Sequence, residues 1–208
     1  MKLYYIILFL TFIVSHNSYS SEKRFKVHTL AFYNLENLFD TINDTSKRDE
    51  ASPIMEMKYN RSEVYNKKIK NLSKVISGIG FEETKTLPTI VGLCEVENKN
   101  VVEDLINSDL LKNANYGISH FDSPDERGID VALIYRKNMF KILNENSAYL
   151  ELKYASGKIN YTRDQLVVEG VLENEKIYII VNHWPSRSGG ELGSRPYRNK
   201  AAELNMYI

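Results

Sequence analysis

Apolar and polar positions along the chain alternate between two periods, and the switches between them mark out the elements. Residues 27–33 (VHTLAFY) are rich in β-branched and aromatic side chains and predict a strand that turns polar after Asn34. Residues 41–59 carry mixed charge and one proline without any period, the pattern of a long loop. In 60–80, Tyr65, Ile69, Leu72, Ile76 and Ile79 recur at steps of four and three, the stripe of an amphipathic helix, and Gly78 and Gly80 close it. Behind Pro88, TIVGLCEV is an apolar run of strand length, and 99–112 predicts a second helix. Residues 116–121, 129–136 and 147–153 predict strands. A hairpin is expected from 164–172 and 176–183 around Glu173-Asn174-Glu175, and the pattern after Asn199 is helical. Strand, helix, strand, helix and then several strands imply an α/β fold of stacked layers with a mixed sheet.

Length and composition narrow this further. The 208 residues suit one domain with a real core. Residues 1–20 have a short basic start, an apolar run from Leu3 to Val14, and serines at 18 and 20, the features of a cleavable signal peptide. The expectation is a chain that is secreted or periplasmic and leaves no membrane anchor after cleavage, with 21–208 as the folded portion. Cys94 is the single cysteine, so no disulfide framework is available. Lys plus Arg equals Asp plus Glu at 27 each, and losing Lys2 with the signal leaves a net charge of −1. A non-specific nucleic-acid coat would carry a basic excess, so any polyanionic partner must be gripped locally.

Three clusters put polar groups where an apolar strand runs out: Asn34 and Glu36 in AFYNLENLFD, Glu95 in IVGLCEVEN, and Asn182, His183, Ser186 and Arg187 in VNHWPSRSGG. Ligand crevices in α/β sheets lie beyond strand ends. A carboxylate with an amide oxygen is a hard donor set suited to magnesium, calcium or manganese, and no Cys/His spacing points to zinc. Taken singly, each has an ordinary explanation. Asn34 suits a cap or turn, Glu36 a solvated charge, Glu95 the start of a loop and Arg163 a surface cation. Cys94 suits a small core position, and His28 and His120 lack polar neighbours in sequence and read as structural. Asp130, between Ile129 and Val131, needs a partner, whether structural or functional.

In combination and in order, NLENLFD, IVGLCEVEN, RGIDVALIYR, TRDQLVVEG and VNHWPSRSGG resemble the endonuclease/exonuclease/phosphatase superfamily, the relatives of deoxyribonuclease I, over about residues 27–207. The resemblance is to secreted bacterial members. It implies a four-layer α/β sandwich of the deoxyribonuclease I-like type, here with its C-terminal part missing. It also implies a divalent-metal-dependent phosphoesterase acting on a phosphodiester, with DNA and RNA among the candidates. Glu95 matches the acid that holds the metal, normally Mg2+ with Mn2+ or Ca2+ as substitutes. Asn34 matches the amide beside that metal, and Glu36 falls where some members carry a second acid. His183 matches the histidine that contacts phosphate or acts as general acid, and Asp130 lies near the place of the carboxylate that orients it. Arg163 matches a phosphate-contacting arginine; Asn182, Ser186 and Arg187 are expected to line the same cleft.

One departure is plain. Members of the superfamily carry a Gly-Asp-x-Asn segment and a late Ser-Asp-His that includes the principal base. Within these 208 residues there is no aspartate after Asp164 and no histidine after His183. The expectation is therefore an N-terminal portion of the domain, inactive unless a further half completes it, or alternatively a non-catalytic phosphate- or nucleic-acid-binding remnant.

Overall fold

The computed structural model describes residues 25–208, so the expected signal peptide lies outside the described residues. The strand begun at residue 27 is β1, Leu30–Leu38; it runs on through the polar residues, with a shift in register between Asn34 and Leu38. The stripe from Tyr65 to Ile76 becomes the buried side of α1, Arg61–Gly78, and a short helix, α2, Phe81–Thr84, follows. Then come β2, Ile90–Val96, and α3, Lys99–Ile106. Asn98 caps α3, its side chain accepting the Val101 N–H at 3.1 Å, which satisfies one of the unpaired donors of a first turn. β3 (Tyr116–His120), β4 (Asp130–Arg136), β5 (Phe140–Ala148), β6 (Gln165–Leu172), β7 (Glu175–Val181) and α4 (Glu191–Tyr207) complete the order. Glu173 and Asn174 both take positive φ, 49° and 70°, as a two-residue hairpin turn between right-twisted strands requires.

The strand expected at 147–153 is a correction. Strand β5 lies at 140–148. Leu150 and Leu152 are buried in a small cluster with Ala201 of α4. Their alternation, which reads as a strand, records packing under a helix.

Two sheets form. The first has the order β1-β2-β4-β3, with β1 parallel to β2 and the other pairs antiparallel; the second is the antiparallel β5-β6-β7. Alternation along each strand splits the side chains between two cores. Val91, Leu93, Ala132 and Ile134 face the helices and pack with Leu72, Ile76, Val101 and Leu105. Ile90, Cys94, Val131 and Leu133 face the second sheet and meet Phe140, Leu166, Val168 and Val181. Helices, sheet, sheet and the α4 side stack in the layer order of a two-sheet α/β sandwich. The edge strands are β1 and β3 in the first sheet and β5 and β7 in the second, and the polar clusters lie at the ends of β1, β2 and β7.

Candidate active site

Because β1 and β2 run parallel in register, with Asn34 opposite Cys94, their ends deliver Asn34 and Glu95 to one point. The Asn34 side-chain amide donates to Glu95 Oε1 at 3.0 Å, and the Asn37 N–H donates to Glu95 Oε2 at 2.9 Å. The Glu36 N–H donates to Asn34 Oδ1 at 2.7 Å and fixes which way that amide faces. Glu95 sits on a bulge with φ 60°, and Glu36 and Asn37 have φ 52° and 58°. For residues other than glycine such angles cost about 1–3 kcal/mol each, and they cluster where a chain aims side chains at a site. Lys68 of α1 donates to the carbonyls of Glu36 and Asn37 and so holds this turn. Burial lowers the pKa of its ammonium against the pull of Glu36 and Glu95.

From the second sheet, β7 ends at Val181 and brings His183 alongside, with Nε2 3.5 Å from Glu95 Oε1. Burial first, and the charge of Arg163 next, push the His183 imidazole down to about 4, outweighing the Glu95 carboxylate. At neutral pH the ring is uncharged, and its contact with Glu95 is that of a neutral imidazole. It can accept a proton or offer one N–H, and an approaching phosphate anion would raise its pKa again. Burial and neighbouring Glu95 likewise push the Cys94 thiol up to about 12, which suits its place in the inter-sheet core.

Arg163, just ahead of β6, is buried against the same corner. It donates to Asp125 at 3.3 Å and to the backbone carbonyls of His183 and Trp184 at 2.8 and 3.2 Å. Its Nε is buried without a partner. The guanidinium thus clamps the His183 loop while its Nε–H stays uncommitted. Asp125, in the polar run SPDERG, is the residue sequence reasoning missed; nothing in a charged loop marks one acid as buried. Arg127 adds a second contact to Asp125 at 3.3 Å.

The remaining residues separate. Asp130 does not turn toward His183: its carboxylate accepts from the Ser123 N–H at 2.8 Å and from the Ser123 hydroxyl, and it meets His120 Nε2 at 3.1 Å. His120 is therefore not without polar context, since β3 and β4 are neighbours and bring the two together. His28 is also engaged, with Thr89 at 3.0 Å and Glu173 at 3.2 Å. Glu36 is exposed, and its carboxylate makes no hydrogen bond among the described residues. Asn182 is half-buried, with its side-chain oxygen unpaired. Ser186 lines a cavity of about 490 Å³ together with Arg163, Arg127 and Arg48. Arg187 is not on the walls of that cavity and reaches Glu191 at 3.5 Å. A larger recess of about 570 Å³, between α3 and β3, contains none of these residues.

The donor set fits a hard divalent cation. Glu95 keeps unused lone pairs on both oxygens and Asn34 Oδ1 keeps one; backbone N–H groups hold Glu95 Oε2 and Asn34 Oδ1, and the Asn34 side-chain amide holds Glu95 Oε1.

Comparison with solved structures shows the same fold. The chain aligns with a humanized D. rerio TDP2 carrying 14 mutations at 14% identity and a TM-score of 0.52, covering 86% of this chain and 55% of that one. A functionally unknown conserved protein from Enterococcus faecalis V583 gives 14% and 0.52, with 86% and 59% covered. An endonuclease/exonuclease/phosphatase from Bacteroides vulgatus gives 16% and 0.50, with 86% and 58%. The chain thus spans rather more than half the length of each. No curated protein matches it in sequence. The model of the Endonuclease/Exonuclease/phosphatase family matches residues 29–208. With its two-sheet sandwich and the order of its motifs, the chain belongs to the endonuclease/exonuclease/phosphatase family of phosphoesterases and has a deoxyribonuclease I-like fold.

Proposed function

We propose that this chain carries the metal- and phosphate-binding half of a divalent-metal-dependent phosphodiester hydrolase that works outside the cytoplasm. The observation that supports it best is the meeting of Asn34, Glu95 and His183 from three strand ends, with Arg163 behind them. A phosphodiester repels an attacking hydroxide. Glu95, with Asn34 beside it, would hold Mg2+, which neutralises that charge and stabilises the developing oxyanion. Neutral His183 would donate its one N–H to a phosphate oxygen. Arg163, through its bonds to the His183 and Trp184 carbonyls, would fix His183 relative to Glu95. The substrate class that follows is a phosphodiester, with DNA and RNA first among the candidates.

A second reading has its own observation: no residue after Asp164 offers an aspartate and none after His183 a histidine, so these 208 residues assign no general base. On that reading the chain binds phosphate without cleaving it until further sequence completes the sandwich. One experiment separates the two. Hydrolysis of bis(p-nitrophenyl) phosphate and of plasmid DNA is measured with Mg2+ for the chain and for Glu95→Ala. Turnover that falls at least a hundredfold in the variant establishes the hydrolase. Equal background turnover in two folded proteins leaves a phosphate-binding half-domain.

A further inference from the structure

A second group of acids lies apart from Glu95 and plays no part in the proposed hydrolysis. Asp44, Asp49, Glu97, Asp122 and Asp130 line one cavity of about 210 Å³, whose walls are completed by Ser46, Lys47, Asn98 and Gly128. Three segments converge there: the 41–59 loop, the end of β2 and the 121–129 loop. Five carboxylates face one ammonium, and that ammonium, from Lys47, is spent on the Ser123 carbonyl at 3.0 Å.

Mutual repulsion should scatter such a group, yet Asp49, Glu97 and Asp130 are buried, with Asp44 and Asp122 exposed beside them. Asp49 is 1% exposed. Its Oδ2 accepts the Asp44 N–H at 2.7 Å, while its Oδ1 is buried with no partner at all. A lone carboxylate oxygen in that position costs about 1–3 kcal/mol or more unless something meets it. Across the cavity, Asp122, Asp130 and His120 each offer one ligand atom, all within 4.8 Å of one another. His120 Nε2 is the atom that holds Asp130, so the histidine orients a carboxylate and leaves an all-oxygen set facing the cavity. Glu97 accepts the Asp40 N–H at 2.6 Å through Oε2 and leaves Oε1 uncommitted.

We propose that this cavity is a calcium site which ties the two loops to the end of β2. Calcium takes about 6–8 oxygens at about 2.3–2.6 Å in irregular geometry and tolerates water among them; magnesium demands a tight octahedron that loop-borne acids spread around a cavity do not form. The charge, the orphaned Asp49 oxygen and the Asp122–Asp130 pair all call for a cation of that kind. The ion acts as a cross-link, and its effect is on stability.

The test uses the full chain carrying Glu95→Gln, which removes the other cation ligand, and titrates Ca2+ and Mg2+ by calorimetry beside thermal unfolding. The expected result is one Ca2+ per chain at sub-millimolar affinity, weaker Mg2+ binding and a raised unfolding midpoint in CaCl2 at constant ionic strength. Adding Asp122→Asn, an exposed position that leaves folding intact, should weaken Ca2+ binding at least tenfold; Asp49→Asn should do the same where it folds. Three outcomes overturn the proposal. They are no saturable Ca2+ binding below about 1 mM, equal affinity for Mg2+, and Ca2+ binding unchanged by Asp122→Asn.

Discussion

The most informative single residue is Arg163. As a simple phosphate contact it would be free to swing. Instead it is 8% exposed, paired with buried Asp125, and bonded to two consecutive carbonyls of the loop that carries His183. Burial, with the charge of Arg127 adding to it, lowers the pKa of its guanidinium, and Asp125 opposes that. Arg163→Met leaves the buried Asp125 carboxylate with the more exposed Arg127 as its one remaining cation and frees the His183 loop; removing one member of a buried pair typically costs about 3–5 kcal/mol. Urea unfolding of the variant should show a loss of that order. Arg163→Lys should recover only part of it, because an ammonium cannot reproduce the fork. A loss below about 1 kcal/mol in Arg163→Met would return Arg163 to a purely phosphate-facing role.

Among the elements, the second sheet depends on how β5 lies against β6. Phe140 stands opposite Leu172, and its ring crosses over Gly170 and meets Tyr135 edge-on, with ring centroids 5.7 Å apart. A methyl group on Gly170 would fall 2.1 Å from Phe140 Cζ and 2.8 Å from the backbone oxygen of Lys141. Gly170→Ala must therefore push the aromatic anchor out of its seat, and overpacking of this kind costs about 1–3 kcal/mol. Gly193→Ala is the matched control. Nothing lies within 4 Å of a methyl group there and its position is helical, so a gain of up to about 1 kcal/mol is expected. Denaturant midpoints moving in opposite directions would confirm both; a neutral Gly170→Ala would mean that β5 is free to shift.

For the molecule as a whole, the open edge of the sandwich has a consequence of its own. Leu30 and Phe32, on the side of β1 that looks toward the second sheet, are 52% and 55% exposed. No strand pairs with the outer edge of β1 among the described residues. Unpaired edges and exposed apolar side chains drive association. Sedimentation velocity should show self-association that rises with concentration, and Leu30→Thr with Phe32→Thr should reduce it while leaving the thermal midpoint nearly unchanged. Association that ignores the double variant would place the contact elsewhere. No helix among the described residues is long and apolar enough to cross a membrane.

Local signals carried much of this. The stripe of α1, the apolar run of β2 and the β6–β7 hairpin were legible because period and turn chemistry act over a few residues. The parallel ends that carry Asn34 and Glu95 were legible as motifs, because acids and amides recur where apolar runs stop. Strand β5 was not, since FKILNENSA has a solvent face and hides its pattern, whereas Leu150 and Leu152 imitate a strand from beneath α4. Asp130 announced that it needed a partner without naming one. The pairing of β3 with β4 chose His120, and a buried loop supplied Asp125 to Arg163. Nor could sequence place Asp44, Asp49, Glu97 and Asp122 around one cavity, for they are up to 78 positions apart. By itself the sequence determined the order of elements, the family and the residue types of the site, because these follow from local period and motif. Which acid faces which base, and which carboxylates share a space, only the tertiary structure decided, because electrostatic partnership depends on distance through space.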